Sequence, residues 1–307
     1  MERNTTRVRK ALTVLITFFI LLAITCAGAS AYMLHYSLYN TESRLPSIEY
    51  DMPYLMRDTF VTMPSGDRHH AIFLSNDSAK GRTAVIVHGY KDHCKSFLDL
   101  GIMYHDSLGY NILLPDLHGH GLSDGNDIQM GWKDRLDVLH WTKVAEEMFR
   151  DSLYESKMVV HGVSMGAATT MCLSGEKNLP PYIRAFVEDC GYTSVWDEFS
   201  GQLKEQFGLP AFPLMYTTSL LCKWQYGWSF EEASPIKQVA KCNRPMLFIH
   251  GDADTYVPYS MLRPLYNAKP QPKEMWIAPG SQHAKAFHDH PAEYTAVVRD
   301  FLQKYCR

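Results

Sequence analysis

The sequence has no marked excess of charge of either sign. Its 307 residues carry 30 lysines and arginines against 33 aspartates and glutamates, a formal net charge of -3. No global basic field exists, which excludes nucleic acid as the main partner. CxxC spacing is also missing. The seven cysteines, at positions 26, 94, 172, 190, 222, 242 and 306, are scattered, so neither a zinc knuckle nor a thioredoxin-like centre is supported. Most of them read as small buried apolar residues. There is no HExxH and no carboxylate–histidine spacing around the 14 histidines. His69-His70, His118/His120 and His288/His290 are therefore expected to be solvent-facing or turn residues, and no metal is expected. Repeats and low-complexity tracts are absent, and 46% hydrophobic with 21% charged residues is ordinary globular composition. Wholesale disorder and fibrous rods are excluded.

Long apolar runs are missing too, with one exception. Arg3, Arg7, Arg9 and Lys10 precede a stretch from Ala11 to Ala31 without a charged residue. Twenty-one such residues, at about 1.5 Å rise each, span a hydrocarbon core of about 30 Å. Residues 1–10 read as a basic cytoplasmic tail and 11–31 as a transmembrane signal-anchor. The positive-inside bias then sends the remainder outward. The rival reading is a cleaved signal peptide, with A-x-A sites at Ala27-Gly28-Ala29 and Ala29-Ser30-Ala31. Both readings export the domain. Residues 32–56, with Pro46 and Pro53, read as a connecting arm.

Beyond the arm, strand-like runs at 57–63 and 68–75 flank Pro64-Ser65-Gly66-Asp67, a hairpin signal. Apolar runs at 84–87, 111–114, 157–160, 185–187, 246–249 and 275–277 then alternate with helical patterns, ending in a helix over 291–305. This rhythm predicts an α/β domain over 57–307 with a mostly parallel central sheet and helices on both faces. Residues 192–234 break the rhythm with ten aromatic residues and no strand. They read as a helical insertion that packs its own aromatics, as a cap over an apolar pocket, or as both.

Gly162-Val163-Ser164-Met165-Gly166 matches G-x-S-x-G between a predicted strand and a predicted helix, the context in which a serine is pushed out on a strained turn. Gly162 and Gly166 leave room where side chains would collide with neighbouring chain. Ser164 as nucleophile needs a base, and the base needs an orienting carboxylate. His250-Gly251-Asp252-Ala253-Asp254 follows a strand and offers two acids. Asp254 is preferred as the orienting acid, with Asp252 shaping the turn. His283, at the end of another predicted strand, is the expected base, with His288 and His290 its competitors. His88-Gly89-Tyr90 ends an earlier strand, and the Tyr90 and Met165 N–H groups are the expected oxyanion hole.

Together with Asp116-Leu-His-Gly-His-Gly-Leu-Ser123 and Gly280-Ser-Gln-His283-Ala284, these motifs resemble the α/β-hydrolase superfamily. The likeness is specifically to exported, membrane-anchored bacterial esterases and lysophospholipase-like serine aminopeptidases. The resemblance spans most of residues 57–305. It implies the α/β-hydrolase fold with a cap at 192–234, acyl transfer to water by Ser164, Asp254 and His283, and no metal or organic cofactor. It also implies a supporting role for the loop beginning at Asp116, although the family often has arginine where His118 stands. The substrate class implied is a small-molecule or lipid-like acyl compound. Peptidase-like activity, acyl transfer to another alcohol, and a non-catalytic binding domain stay open as alternatives.

Overall fold

The computed structural model describes residues 2–43 and 56–306. The apolar runs form eight strands: β1 (Arg57–Thr62), β2 (Arg68–Leu74), β3 (Arg82–Val87), β4 (Asn111–Pro115), β5 (Lys157–Val163), β6 (Ile183–Asp189), β7 (Met246–Gly251) and β8 (Lys273–Ala278). They make one sheet in the order β1-β2-β4-β3-β5-β6-β7-β8. The β1–β2 hairpin and the β2–β4 pair are antiparallel, and every other pair is parallel. The helices are α1 (Glu2–Leu38), α2 (Leu98–Ile102), α3 (Asp134–Phe149), α4 (Met165–Ser174), α5 (Val195–Phe207), α6 (Leu214–Tyr226), α7 (Pro235–Val239), α8 (Leu262–Ala268), α9 (Ala286–Asp289) and α10 (Pro291–Tyr305).

Side chains alternate between the two faces of the sheet, as the pleat requires. On one face, Val85, Val87 and Leu113 pack with Trp141 of α3, Met171 of α4 and Leu265 of α8. On the other, Ala84, Ile86, Ile112 and Leu114 pack with Leu100 of α2 and with Tyr294 and Phe301 of α10. Strands covered on both faces have no polar side to show, and this is why they appear in the sequence as unbroken apolar runs. The region expected to be a cap contributes α5 and α6. Ser194 caps α5 by accepting the Asp197 N–H, and Gly208 and Gly227 end the two helices in left-handed conformations.

At the N-terminus, α1 outruns the expected span. An arm was expected from residue 32, yet the helix continues to Leu38, and Leu34 and Leu38 are buried in the same core as the cap. Beyond the helix, Asn40 N–H bonds to Asn126 O and Ile128 N–H to Leu38 O, which pins this end to the domain. The continuation forms because its inward face has partners in α6 and the loop before α3. The remainder of the expected arm, including Pro46 and Pro53, lies outside the described residues. No disulfide forms among the described residues. Six cysteines are buried as apolar filler and Cys26 is half-buried.

Candidate active site

The parallel strands all end on one side, and the loops leaving them build the site. β5 runs directly into α4 through Ser164, whose φ of 59° lies in the left-handed region that a non-glycine residue rarely adopts. Ser164 N–H bonds to Asp189 O at the end of β6, which holds the turn. A Cβ on Gly162 would sit 1.9 Å from Gly166 O, and one on Gly166 would sit 2.1 Å from Val87 O. Only glycine permits these approaches, so the turn's sharpness is written into both positions.

Ser164 Oγ lies 2.8 Å from His283 Nε2, and His283 Nδ1 lies 2.7 Å from Asp254 Oδ2. Asp254 is buried, and its Oδ1 accepts the Tyr256 and Val257 N–H groups at 3.0 Å each. Burial alone would push its carboxyl up, but bonds to His250 and His283, and their charge, outweigh burial and hold it below the ordinary aspartate range. An ionised carboxylate can only accept, so His283 carries its proton on Nδ1 and offers Nε2 to the serine hydroxyl. Asp252 does something different. Its Oδ1 accepts Gly280 N–H at 2.6 Å, and Ala253 N–H bonds to Ser281 O, which ties the aspartate loop to the histidine loop. His288 is strongly exposed, and His290 bonds to Pro279 O. Neither approaches the serine within hydrogen-bond distance.

On the opposite side of Ser164, the nearest atom to a Cβ on Gly89 would be Ser164 Cβ, at 3.4 Å. This close approach brings the Tyr90 backbone beside the serine, with the Met165 N–H opening α4 on the other flank. His88 is buried. Its Nε2 accepts Leu117 N–H at 3.0 Å, so Nδ1 carries the proton and donates to Gly89 O at 2.8 Å. Asp116 is the hub below: Oδ1 accepts Cys94 N–H, and Oδ2 accepts from Leu122 N–H and His70 Nδ1. Burial opposes its charge, but these bonds prevail and lower its pKa to about 2. The Asp116 loop is thereby fixed to β2, β3 and the turn after Lys91.

The expectation that His69, His70, His118 and His120 face solvent or sit in turns holds in part: His118 and His120 lie in the turn after β4, but all four are buried, so none faces solvent. The covered end of β2 and the Asp116 loop enclose them, and tertiary partners replace water for three of them. His70 pairs with Asp116, His118 Nε2 with Asp127 at 3.1 Å, and His120 Nδ1 with His118 O. His69 has no hydrogen-bond partner among the described residues, and burial lowers its pKa to about 4. Among the described residues, three groups of side chains stand close enough to share an ion: Asp67–His69–His118, His70–Cys94–Asp116 and Cys190–Asp254–His283. The second is locked by its own hydrogen bonds, and the third is the serine's own row.

Three features escape motif reading. His250 lies behind Asp254, with Nε2 3.0 Å from Val257 O and 3.3 Å from Asp254 Oδ2. A buried chain links Tyr104, His161, Tyr294 and Asp189 at 2.9–3.0 Å per step, beneath the serine turn. Glu198 of α5 lines one of two cavities that meet at Ser164. That cavity is mostly apolar, walled by Phe199 and Leu203 of α5, Leu214 and Met215 of α6, and Met33 and Tyr36 of α1. The other holds Gly89, Asp92, Phe97 and His283. The last two join residues far apart in the chain, so no local spacing announces them, whereas His250 stands only four residues before Asp254 and its contact depends on how that loop folds back.

Known proteins place this arrangement. The chain is 28% identical over 220 residues to the uncharacterized protein YqkD of Bacillus subtilis (strain 168), covering 72% of this chain and 70% of that one. It is 27% identical to the uncharacterized protein YfhR of Escherichia coli (strain K12), covering 63% of this chain and 60% of that one. The fold is similar to that of the Pyrococcus furiosus esterase Pf2001, with a TM-score of 0.68, 19% identity, and coverage of 87% of this chain and 100% of that chain. The sequence model of the prolyl oligopeptidase family matches residues 97–307, from the loop before α2 through α10. With more than half of its length inside that match and this sheet order around it, the chain belongs to the prolyl oligopeptidase family and is an α/β hydrolase.

Proposed function

We propose that the protein is a serine hydrolase that cleaves a carboxylic ester or related acyl bond through an acyl-enzyme on Ser164. The observation that carries this reading is the row Ser164 Oγ–His283 Nε2–His283 Nδ1–Asp254 Oδ2, at 2.8 and 2.7 Å, with the serine on a positive-φ turn. As Ser164 attacks the carbonyl carbon, His283 Nε2 takes its proton, and Asp254 stabilises the imidazolium that forms. The negative charge moves to the carbonyl oxygen, where Tyr90 and Met165 N–H groups receive it at the start of α4. Collapse expels the alcohol, which takes the proton from His283. Water, deprotonated by the same histidine, then attacks the acyl-enzyme and frees the acid and Ser164. The apolar cavity takes the acyl chain, and the cleft beside Gly89 and His283 the departing alcohol.

Residues 9–38 form a helix long and apolar enough to cross a membrane. We read it as an anchor, with the basic tail on the cytoplasmic side and the catalytic domain outside. The family match favours a second reading, hydrolysis of a peptide bond on the same row. A matched ester and anilide of one acyl group, assayed with the full chain, separates the two. Ser164→Ala is expected to lower turnover of p-nitrophenyl butyrate by at least about a thousandfold and to abolish fluorophosphonate labelling. Undiminished turnover in that variant overturns the assignment.

A further inference from the structure

The helix read as the membrane anchor is also a wall of the active-site cavity. Its C-terminal turns present Met33, Tyr36 and Ser37 to the cavity, beside Leu214, Met215 and Thr218 of α6. The Tyr90 hydroxyl donates to Ser37 O at 2.8 Å, which ties α1 to the loop beside Ser164. Between Ser164 and whatever surrounds α1 on this side, the wall is therefore made of two helices lying against each other.

Their depth is set by a pair of polar contacts. Thr217 Oγ1 lies 2.6 Å from Ser30 Oγ and 3.4 Å from Cys26 Sγ. The first turn of α6 is thus level with the last turn of the uncharged stretch 11–31. At that level α6 turns an apolar row outward. Phe212, Tyr216, Leu220 and Trp224 recur at every fourth residue and are 73, 55, 71 and 82% exposed. Met215, Thr218 and Cys222 of α6 point inward, and on the flank beside Trp224 the exposed Lys223 pairs with Glu232. Leu209 is also exposed beside the row. Exposed Tyr32 and Tyr36 stack at 6.2 Å on α1, and Tyr36 meets the Phe207 ring at 6.2 Å. Tyrosines at the end of an apolar span are the usual marker of the lipid headgroup level. An apolar patch of this kind on a soluble surface marks an interaction site, and this one continues the lipid-facing surface of α1 without a break.

We propose that the Phe212–Trp224 face of the cap seats in the boundary of the bilayer that α1 crosses, and that the substrate is a membrane-resident acyl ester drawn into the cavity along the α1–α6 seam. The seating stands on the anchor reading, and the entry route also on the catalytic reading of Ser164. Lipid fits this face better than a second copy of the chain, because the row begins level with the last turn of the uncharged stretch of α1, where the boundary of the bilayer falls.

The test uses the full chain in phosphatidylcholine nanodiscs, one copy per disc, with an NBD label on Leu220→Cys. Unsubstituted protein carried through the same labelling gives the background from the native cysteines. The expected result is blue-shifted emission quenched by lipids spin-labelled near the headgroup. An aqueous spectrum without quenching overturns the seating, as does a blue shift that appears only when two copies share a disc. The Leu220→Ser/Trp224→Ser pair is expected to keep kcat/KM for soluble p-nitrophenyl acetate within about twofold, and to lose at least tenfold against a long-chain p-nitrophenyl ester presented in vesicles. Equal retention or equal loss on the two substrates overturns the entry route. Full activity in Ser164→Ala sinks the catalytic reading while leaving the quenching result to judge the seating on its own.

Discussion

Among single residues, Glu198 is the least expected occupant of the apolar cavity. Burial raises its pKa to about 7, helped by the nearby charges of Asp254 and Glu205 and opposed by the Gln202 hydrogen bond. Its Oε2 is buried without a partner among the described residues. Below about pH 7 it is a neutral acid that an acyl chain can lie against. Above that it becomes an anion in a pocket walled by Phe199 and Leu203. KM for an uncharged ester is therefore expected to rise above pH 7, by up to about tenfold at pH 8, where only about a tenth of the carboxyls remain protonated. Glu198→Gln is expected to remove the rise. The readout is KM against pH at constant ionic strength, and a rise that persists in the variant assigns it to another group.

The element on which the proposed chemistry rests is the β5–α4 turn, and there the geometry leaves little slack. A Cβ on Gly166 would meet Val87 O at 2.1 Å, against backbone of β3 that cannot rotate away. Gly166→Ala is expected to force the two apart at a cost of about 1–3 kcal/mol, lowering Tm by about 2–12 °C. It is also expected to lower kcat about a hundredfold, as a displacement near 1 Å does. Gly201 of α5 has nothing within 4 Å of its missing Cβ. Gly201→Ala is expected to leave activity unchanged and to stabilise by about 0.5–1 kcal/mol through helix propensity. Circular dichroism melts with steady-state kinetics check both. This turn was legible because its demands are local: two glycines around a serine, a strand before and a helix after. The extension of α1 to Leu38 was not, because the partners that bury Leu34 and Leu38 come from the cap and the loop before α3. The buried histidines escaped for the same reason. Nothing near His69 or His118 in the sequence reveals that the Asp116 loop folds over β2.

Across the whole molecule, the domain keeps an unusual number of titratable groups away from water, and their effects on stability have definite signs. Burial raises Glu188 to about 8, Asp134 to about 7, and Asp137 and Asp189 each to about 6. The unfolded chain releases these protons near pH 4, so the folded protein holds more protons across the interval up to each raised value. Stability contributed by these groups is full below pH 4 and is lost as pH rises. Buried histidines act oppositely. Burial lowers His161 to about 3 and His69 to about 4, so they remain neutral in the fold while the unfolded chain binds protons below 6.5. Their contribution is present above 6.5 and is lost on acidification. The two sets offset each other in weak acid. Above pH 6.5 His161 and His69 are neutral in both states, and the raised carboxyls, Glu198 among them, act together with two buried histidines that are raised despite burial: His250 by its Asp254 bond and the Glu188 charge, and His118 by its Asp127 bond and charge. Stability is therefore expected to fall as pH rises from 6.5 to 8, with Glu188 the last carboxyl to ionise. Each proton that only the folded state holds contributes a slope of about 1.4 kcal/mol per pH unit, or about 3–6 °C in Tm. Glu188→Gln retains a carbonyl to accept the Gly191 N–H and cannot ionise. It is expected to flatten the decline between pH 7 and 8 by about one proton's worth, read from Tm measured at half-unit steps. A slope identical to that of the unsubstituted protein would show that Glu188 is already ionised in the fold, paired with His250.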